Sequence, residues 1–376
     1  MIFVRRQWRS FDFVLALLVL GFAVYGLFVI KSATAYDVRG LAKIYSNQRI
    51  FLASGAVLMF LAAFVDYHFI TRFFIPIYVL GLLLLVFVLF RGKDETNTAR
   101  WIAVGAMSIQ PSEFMKIFLI LFLAKFIDKW RDSVNNILML ALGLAIIAVP
   151  AALIFVQPAL SACLVIATIG LCVLFVSGIH YRYIFAAALV LVPLAAVFLW
   201  DVQKAEPFLQ KINVLGEYQV GRIKDYLHPV QNPDQYTQIS RSLSHIGRGM
   251  LTGVGLGKGT YVPAGSNDFI FAVIGEQLGF LGCAATLGIM FLIIAKCVLT
   301  ANMAVDLQGR LIASGVAVML AFEAFVNVGV ATALLPNTGM PFPFLSSGGS
   351  TMWVHMIAIG LVINVGLFKR KSLFQE

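Results

Sequence analysis

Charge is what this chain has least of. Only 12% of its 376 residues are Asp, Glu, Lys or Arg, while 60% are hydrophobic. That shortage excludes an ordinary soluble globular domain, in which about a quarter of the residues are charged. Cysteine is scarce too. Cys163, Cys172, Cys283 and Cys297 each fall in an apolar run without paired spacing, which excludes a disulfide framework and a thiolate metal site and leaves them as small core residues. His68, His180, His228, His245 and His355 show no zinc-ligand spacing. The stretch Gly253 to Gly259 looks phosphate-binding, but a Walker loop needs glycine where Thr252 stands and a hydroxyl residue where Gly259 stands. No Gly-x-Ser-x-Gly elbow, internal repeat or low-complexity tract occurs.

What the chain has instead is apolar length, with a mean hydropathy of +0.91. Runs of about twenty apolar residues are what a membrane-spanning helix needs. They recur at 11–31, 47–65, 70–90, 112–128, 136–156, 158–178, 183–200, 268–299, 311–335 and 351–368. The expected fold is an all-α polytopic membrane protein of ten spans, with residues 1–376 as one domain and 201–267 as a large extracellular loop between spans seven and eight. Arg5-Arg6 ahead of the first run, with Ala33-Thr34-Ala35 after it, has the outline of a cleavable signal sequence. The run is long enough to span, so it is read as the first helix.

The net charge of +10 sits in short clusters between apolar runs, a pattern that suits lipid headgroups and excludes a nucleic-acid face. Alternate flanks, from Arg5, Arg6 and Arg9 through Arg72, Lys125, Lys129, Arg131, Arg182, Lys296 and Arg310 to Lys369, Arg370 and Lys371, hold most of it. The positive-inside rule makes those flanks cytoplasmic, with both termini inside and 201–267 outside. In that outer segment, Phe208 to Val214 and Val220 to Leu227 could form interfacial amphipathic helices. Thr98 to Glu113 reads as a re-entrant or interfacial segment. Leu335 to Thr351, rich in proline, glycine and hydroxyls, survives at membrane depth only if buried in protein or lining a wet cavity.

Ionisable residues within spans are costly, so each is a functional candidate. Glu113 and Lys116 lie three apart on one helix face and pair, either as a structural ion pair or facing a substrate. Glu276 lies two turns below Asp268. Glu323 has no partner visible in sequence and is read as structural. Asp268 itself, just before an apolar helix, fits an N-terminal cap as well as it fits a working group beside the glycine loop.

Five ordered blocks carry a resemblance. They are Ala99-Arg-Trp-Ile102 with Gln110-Pro-Ser-Glu113 and Lys116; Tyr218-Gln219 with Arg222-Ile223; Gly253-x-Gly255-x-Gly257; Asp268-Phe-Ile-Phe271 with Glu276 and Leu278-Gly279; and Pro336-x-Thr338-Gly339-x-Pro341 with Pro343-Phe344 and Ser346-Ser-Gly-Gly-Ser350. In these the chain resembles, essentially end to end, the SEDS peptidoglycan polymerases, the RodA, FtsW and SpoVE group. The resemblance implies a glycosyltransferase of the bacterial cytoplasmic membrane that polymerises lipid II into β-1,4 glycan, with a class B penicillin-binding protein as partner.

It also implies Asp268 as the catalytic general base, which a helix-start position would only help to fix. The substrate-binding candidates are Arg100, Glu113, Lys116, Arg222, Lys258, Glu276, Ser346 and Ser347, with Lys116 and Arg222 the first choices to offset pyrophosphate charge. A divalent cation, Mg or Mn, could share that task, although no metal cage is visible. The short N-terminus leans towards the elongation type. Where many relatives read Gln-Pro-Asp-Leu-Gly-Thr, this chain reads Gln157-Pro-Ala-Leu-Ser-Ala162. The competing functions are a transporter of the lipid-linked precursor and an inactive scaffold.

Overall fold

Inside lipid a backbone can satisfy its own polar groups only as a helix or a closed barrel, and the apolar runs of this chain take the first course. The computed structural model describes residues 4–6, 10–35, 42–91, 100–104, 107–157, 159–180, 182–183, 226 and 233–370. In chain order the elements are β1 (Val4–Arg6), α1 (Phe13–Thr34), α2 (Ala42–Phe64), a short α3 (Tyr67–Ile70) continuing through a 3-10 turn into α4 (Phe74–Arg91), β2 (Ile102–Val104), β3 (Met107–Ile109) and α5 (Pro111–Lys129). Then come α6 (Ile137–Val156), α7 (Leu160–Val176), α8 (Pro233–Arg248), α9 (Ile270–Met303), α10 (Leu307–Ala331), α11 (Gly349–Gly366) and β4 (Phe368–Arg370).

Seven of the described helical stretches are long and apolar enough to cross a membrane: α1, α2, α3 with α4, α6, α9, α10 and α11. The chain is a multi-pass membrane protein. Helices α5 and α7 also occupy expected spans, one carrying five charged residues from Glu113 to Lys129 and the other 17 residues long, and both pack against α10 in the interior. The expected span 183–200 lies outside the described residues, as do Arg222 and nearly all of the two expected interfacial helices. Within 201–267 the described residues hold instead the amphipathic α8. Its apolar Ile239, Leu243 and Ile246 recur at helical spacing, and Pro233 stands at its start. The segment expected to be re-entrant is a β2–β3 hairpin, with Ile102 opposite Ile109 and Val104 opposite Met107 across the intervening Gly105-Ala106.

Helices α10 and α11 form the buried centre. Gly360 lets α11 lie directly on the α2 backbone, because a Cβ there would come within 2.3 Å of the Met59 carbonyl. Asn364 stitches the same pair. Its Nδ2 donates to the carbonyls of Ala63 and Val65, both at 2.6 Å, and its Oδ1 accepts the Tyr67 amide. Asp12 caps α1 through the Leu15 amide and pairs with Lys296 of α9 at 3.0 Å. The two ends of the chain meet as an antiparallel ladder in which Arg5 faces Lys369, so both ends lie on one face of the bundle, as the charge pattern required.

The expected span 268–299 is not one helix. At Gly279 the backbone turns to φ 65°, ψ −164°, and α9 is broken there. The freed groups are taken up by the glycine-rich loop. The Val254 and Gly255 amides donate to the carbonyls of Glu276 and Gln277 at 3.0 and 2.9 Å, while Phe280 and Leu281 donate to Met250 and Leu251 at 2.8 and 3.1 Å. The loop therefore braces a helix break, and a Cβ on Gly279 would sit 2.4 Å from the Gly253 nitrogen. Gly279→Ala combines left-handed strain with a backbone clash and is expected to cost at least about 2 kcal/mol, read as lowered thermal stability of the purified protein in detergent.

At the face that holds both chain ends, Asp306 caps α10 through the Gly309 amide at 2.7 Å and accepts the Tyr67 hydroxyl at 2.9 Å and His68 Nε2 at 2.7 Å. Burial pushes its carboxyl up, but His68, the Gly309 amide and Tyr67 outweigh burial and hold it below its ordinary value of 3.8. A depressed carboxyl adds stability above its unfolded pKa and loses it as pH falls through the lowered folded value. Asp306→Asn is thus expected to cost about 1.5–3 kcal/mol at pH 7, and the difference from the parent should close as unfolding is measured at progressively more acidic pH.

Candidate active site

The irregular stretches of the chain converge on one place. A cavity of about 240 Å³ is lined by Arg100 and Trp101 before the hairpin, Gln110, Glu113 and Lys116 at the start of α5, Ala159, Ser161 and Ala162 at the start of α7, Asn267 and Asp268 before α9, Glu323 of α10, and the segment from Thr338 to Thr351. The proline-rich segment does what its composition demanded. Phe342, Phe344 and Leu345 are buried, while Thr338, Gly339, Met340, Pro341, Ser347 and Gly348 face the cavity.

Asp268 is not the cap of α9. The helix begins at Ile270 with Phe269 at the cap position, so Asp268 stands in the cavity wall one residue ahead of the cap. Arg100 lines the same cavity and donates from Nε to the Gln157 carbonyl at 3.0 Å. Gln157 in turn donates to the Leu85 carbonyl at 2.9 Å, which fixes the start of α7. The hairpin is held down by the Gln110 amide, which donates to Ser350 Oγ at 3.0 Å.

The expected Glu113–Lys116 pair forms at 2.7 Å, but it is part of a larger set. Lys116, its side chain 3% exposed, also meets Glu323 at 2.6 Å. The other oxygen of Glu323 takes His355 Nε2 at 2.5 Å. The acid that had no visible partner is therefore the centre of a four-residue chain across α5, α10 and α11. His355, missed in sequence, was visible only as a polar residue within an apolar span.

Other expected site residues lie elsewhere. Glu276, 0% exposed, faces away from the cavity and binds the outer loop: Thr260 Oγ at 2.8 Å, the Thr260 amide at 3.1 Å, His245 Nδ1 at 3.1 Å and Arg248 at 3.5 Å. Lys258 is exposed on that loop. Ser346 is buried, accepting from the Phe342 amide at 2.8 Å and donating to the Asn267 carbonyl at 2.7 Å, so it supports the wall without lining it. Ser347 does line it. Sequence reasoning also missed Asn327 of α10, whose Nδ2 donates to the Asp268 carbonyl at 2.9 Å. Among the described residues no three His, Cys, Asp or Glu side chains are grouped to hold a metal.

This is a multi-pass membrane protein whose buried acids, cations and irregular backbone meet in one polar cavity. It belongs to the FtsW/RodA/SpoVE family of cell cycle proteins, whose model matches residues 12–371. Among its relatives, a probable peptidoglycan glycosyltransferase FtsW of Trichlorobacter lovleyi is 33% identical, over 96% of this chain and 95% of that one. Stage V sporulation protein E of Bacillus subtilis is 32% identical over 96% and 98%. A solved chain from a peptidoglycan synthase complex that coordinates polymerization and crosslinking superposes with TM-score 0.80 at 27% identity, covering 96% of this chain and 98% of that one. The rod shape determining protein RodA of Thermus thermophilus does so with TM-score 0.70 at 28% identity, over 96% and 97%.

The buried chain of charges makes a stability prediction. Removing its one lysine strands two carboxylates in the interior, so Lys116→Met is expected to cost about 3–5 kcal/mol. Adding Glu113→Gln and Glu323→Gln to the same protein should recover most of it, as measured by thermal or denaturant unfolding.

Proposed function

We propose that this chain is a peptidoglycan glycosyltransferase that polymerises lipid II into β-1,4 glycan strands, with Asp268 as general base. One observation carries the reading: Asp268, Arg100 and Lys116 share a single cavity, in a chain that matches named peptidoglycan glycosyltransferases over almost their whole length.

The substrate brings its own leaving group, so the protein has little covalent chemistry to do. The Asp268 carboxylate takes the proton from the acceptor's sugar hydroxyl as that oxygen attacks the donor's anomeric carbon. The bond from that carbon to the pyrophosphate oxygen breaks, the pyrophosphate keeps the electron pair, and the configuration inverts. Arg100, with a planar guanidinium matched to phosphate, serves the departing pyrophosphate best. Lys116 serves it less directly than its charge suggests, because Glu113 and Glu323 already face its ammonium. Arg222 is retained as a second pyrophosphate cation, and Ser347 as a hydrogen-bonding group for the sugar.

Ser346 acts on substrate only through the wall it supports, and Lys258 and Glu276, which lie away from the cavity, are given no contact with the reacting groups. Glu113 and Glu323 are both engaged by Lys116, so a Mg or Mn ion at the cavity would be held by Asp268 together with the substrate's own phosphates; the proposed steps run through side chains.

The setting follows from charge and likeness. The proposed setting is the cytoplasmic membrane of a bacterial cell, with both chain ends in the cytoplasm and the cavity towards the outer face, a reading that the basic flanks support. A class B penicillin-binding protein is the proposed partner, supported by the likeness to a chain of a peptidoglycan synthase complex. Wall elongation is the proposed process, supported by the likeness to RodA.

The test is purified protein, with and without that partner, given labelled lipid II. Wild type should yield glycan polymer, and Asp268→Asn should lose at least about 10²-fold in rate with unchanged melting. Polymer from the substituted protein would remove Asp268 from the role of base. Passage of lipid II across a bilayer without polymer would make the chain a transporter.

A further inference from the structure

Three consecutive carbonyls lead to the acid in the cavity, and each is held by a different donor. The Ser347 amide reaches the Ser266 carbonyl at 2.8 Å, Ser346 Oγ reaches that of Asn267 at 2.7 Å, and Asn327 Nδ2 reaches that of Asp268 at 2.9 Å. The first two donors belong to the irregular segment before α11. The third comes from a membrane helix, near the end of α10, and is 0% exposed.

Asn327 has a second bond of the same kind. Its Nδ2 also donates to the Met340 carbonyl at 2.7 Å, and Met340 lines the cavity. Both partners are carbonyls, which can only accept, so the amide can face them only with its nitrogen. Its Oδ1 is then left buried with no donor. Leucine shares the branched outline of asparagine and would strand no oxygen of its own, but it would leave both carbonyls without this donor, so the amide is explained by its nitrogen. Asn327 lies one helical turn beyond Glu323, on the face of α10 turned to the cavity.

We propose that Asn327 is a positioning residue for Asp268. Holding the Asp268 carbonyl fixes the peptide plane that joins the acid to α9, and so aims its carboxylate. Holding Met340 with the same nitrogen keeps the opposite cavity wall in register with it. A reacting group misplaced by about 1 Å loses about 10²-fold in rate. The inference rests on the assignment of Asp268 as base.

The experiment uses full-length protein and labelled lipid II, with Asp268→Asn, Asn327→Leu and Asn327→Ser measured side by side. Asn327→Leu leaves two carbonyls without this donor and is expected to melt below wild type; assayed at a temperature where it is fully folded, it should keep its KM within about threefold while kcat falls about 10²-fold. Asn327→Ser, which keeps one donor on a shorter arm, should fold and fall between the two. Hydrogen exchange should rise at 264–272 in both, with the rest of α10 unchanged. Full kcat in both Asn327 variants, or a change that falls on KM with kcat kept, would overturn the positioning role while Asp268→Asn stays inactive. An active Asp268→Asn would instead overturn the base itself, so the two failures are told apart in one assay.

Discussion

Everything in this molecule answers to one rule, that a backbone amide or carbonyl at membrane depth must find a partner. Where the chain is helical the rule is met within each segment. The site, however, is made largely of backbone that is not helical, and there particular groups are met by named neighbours. The glycine loop completes the break at Gly279, Ser346, Ser347 and Asn327 hold the three carbonyls up to Asp268, and Ser350 holds the hairpin. The polar cavity exists because these exceptions to the helix are all supported, and the support comes largely from uncharged side chains and amides.

A second layer is electrostatic. Glu113, Lys116, Glu323 and His355 form one chain of contacts from α5 through α10 to α11. Such a chain adds little net stability over well-packed apolar residues, but it joins three helices beside the cavity. Arg100 and Asp268 stand in the same cavity. That arrangement leaves the lysine mainly organising its acids.

The sequence showed clearly what depends on local composition. Apolar run length located every described span, and the charge in the flanks placed both ends on one face. The cost of charge in lipid singled out Asp268, Glu113 and Lys116, and the family blocks added Arg100. What stayed hidden depends on distant contacts. Glu276 announced that it was buried but not where, and only the fold shows it turned to Thr260 and His245. Asn327 and His355 carry no obligatory charge, so a search for ionisable groups passed over both, although an amide or imidazole inside an apolar run is itself a signal. The break at Gly279 was invisible because glycine is common in membrane helices, and the loop that completes it looked like a failed nucleotide motif.

The break in α9 has a mechanical consequence. An unbroken rod from Ile270 to Met303 would carry any tilt of its outer end down to the opposite face of the bundle. With its hydrogen bonding handed over to the glycine loop at Gly279, the outer piece is coupled sideways instead. It is joined to α8 through Glu276, His245 and Arg248, and to α10 through Asn327. The acid therefore lies on the side of the break that is tied to α8 and α10, apart from the helical packing that continues from Phe280 to Met303.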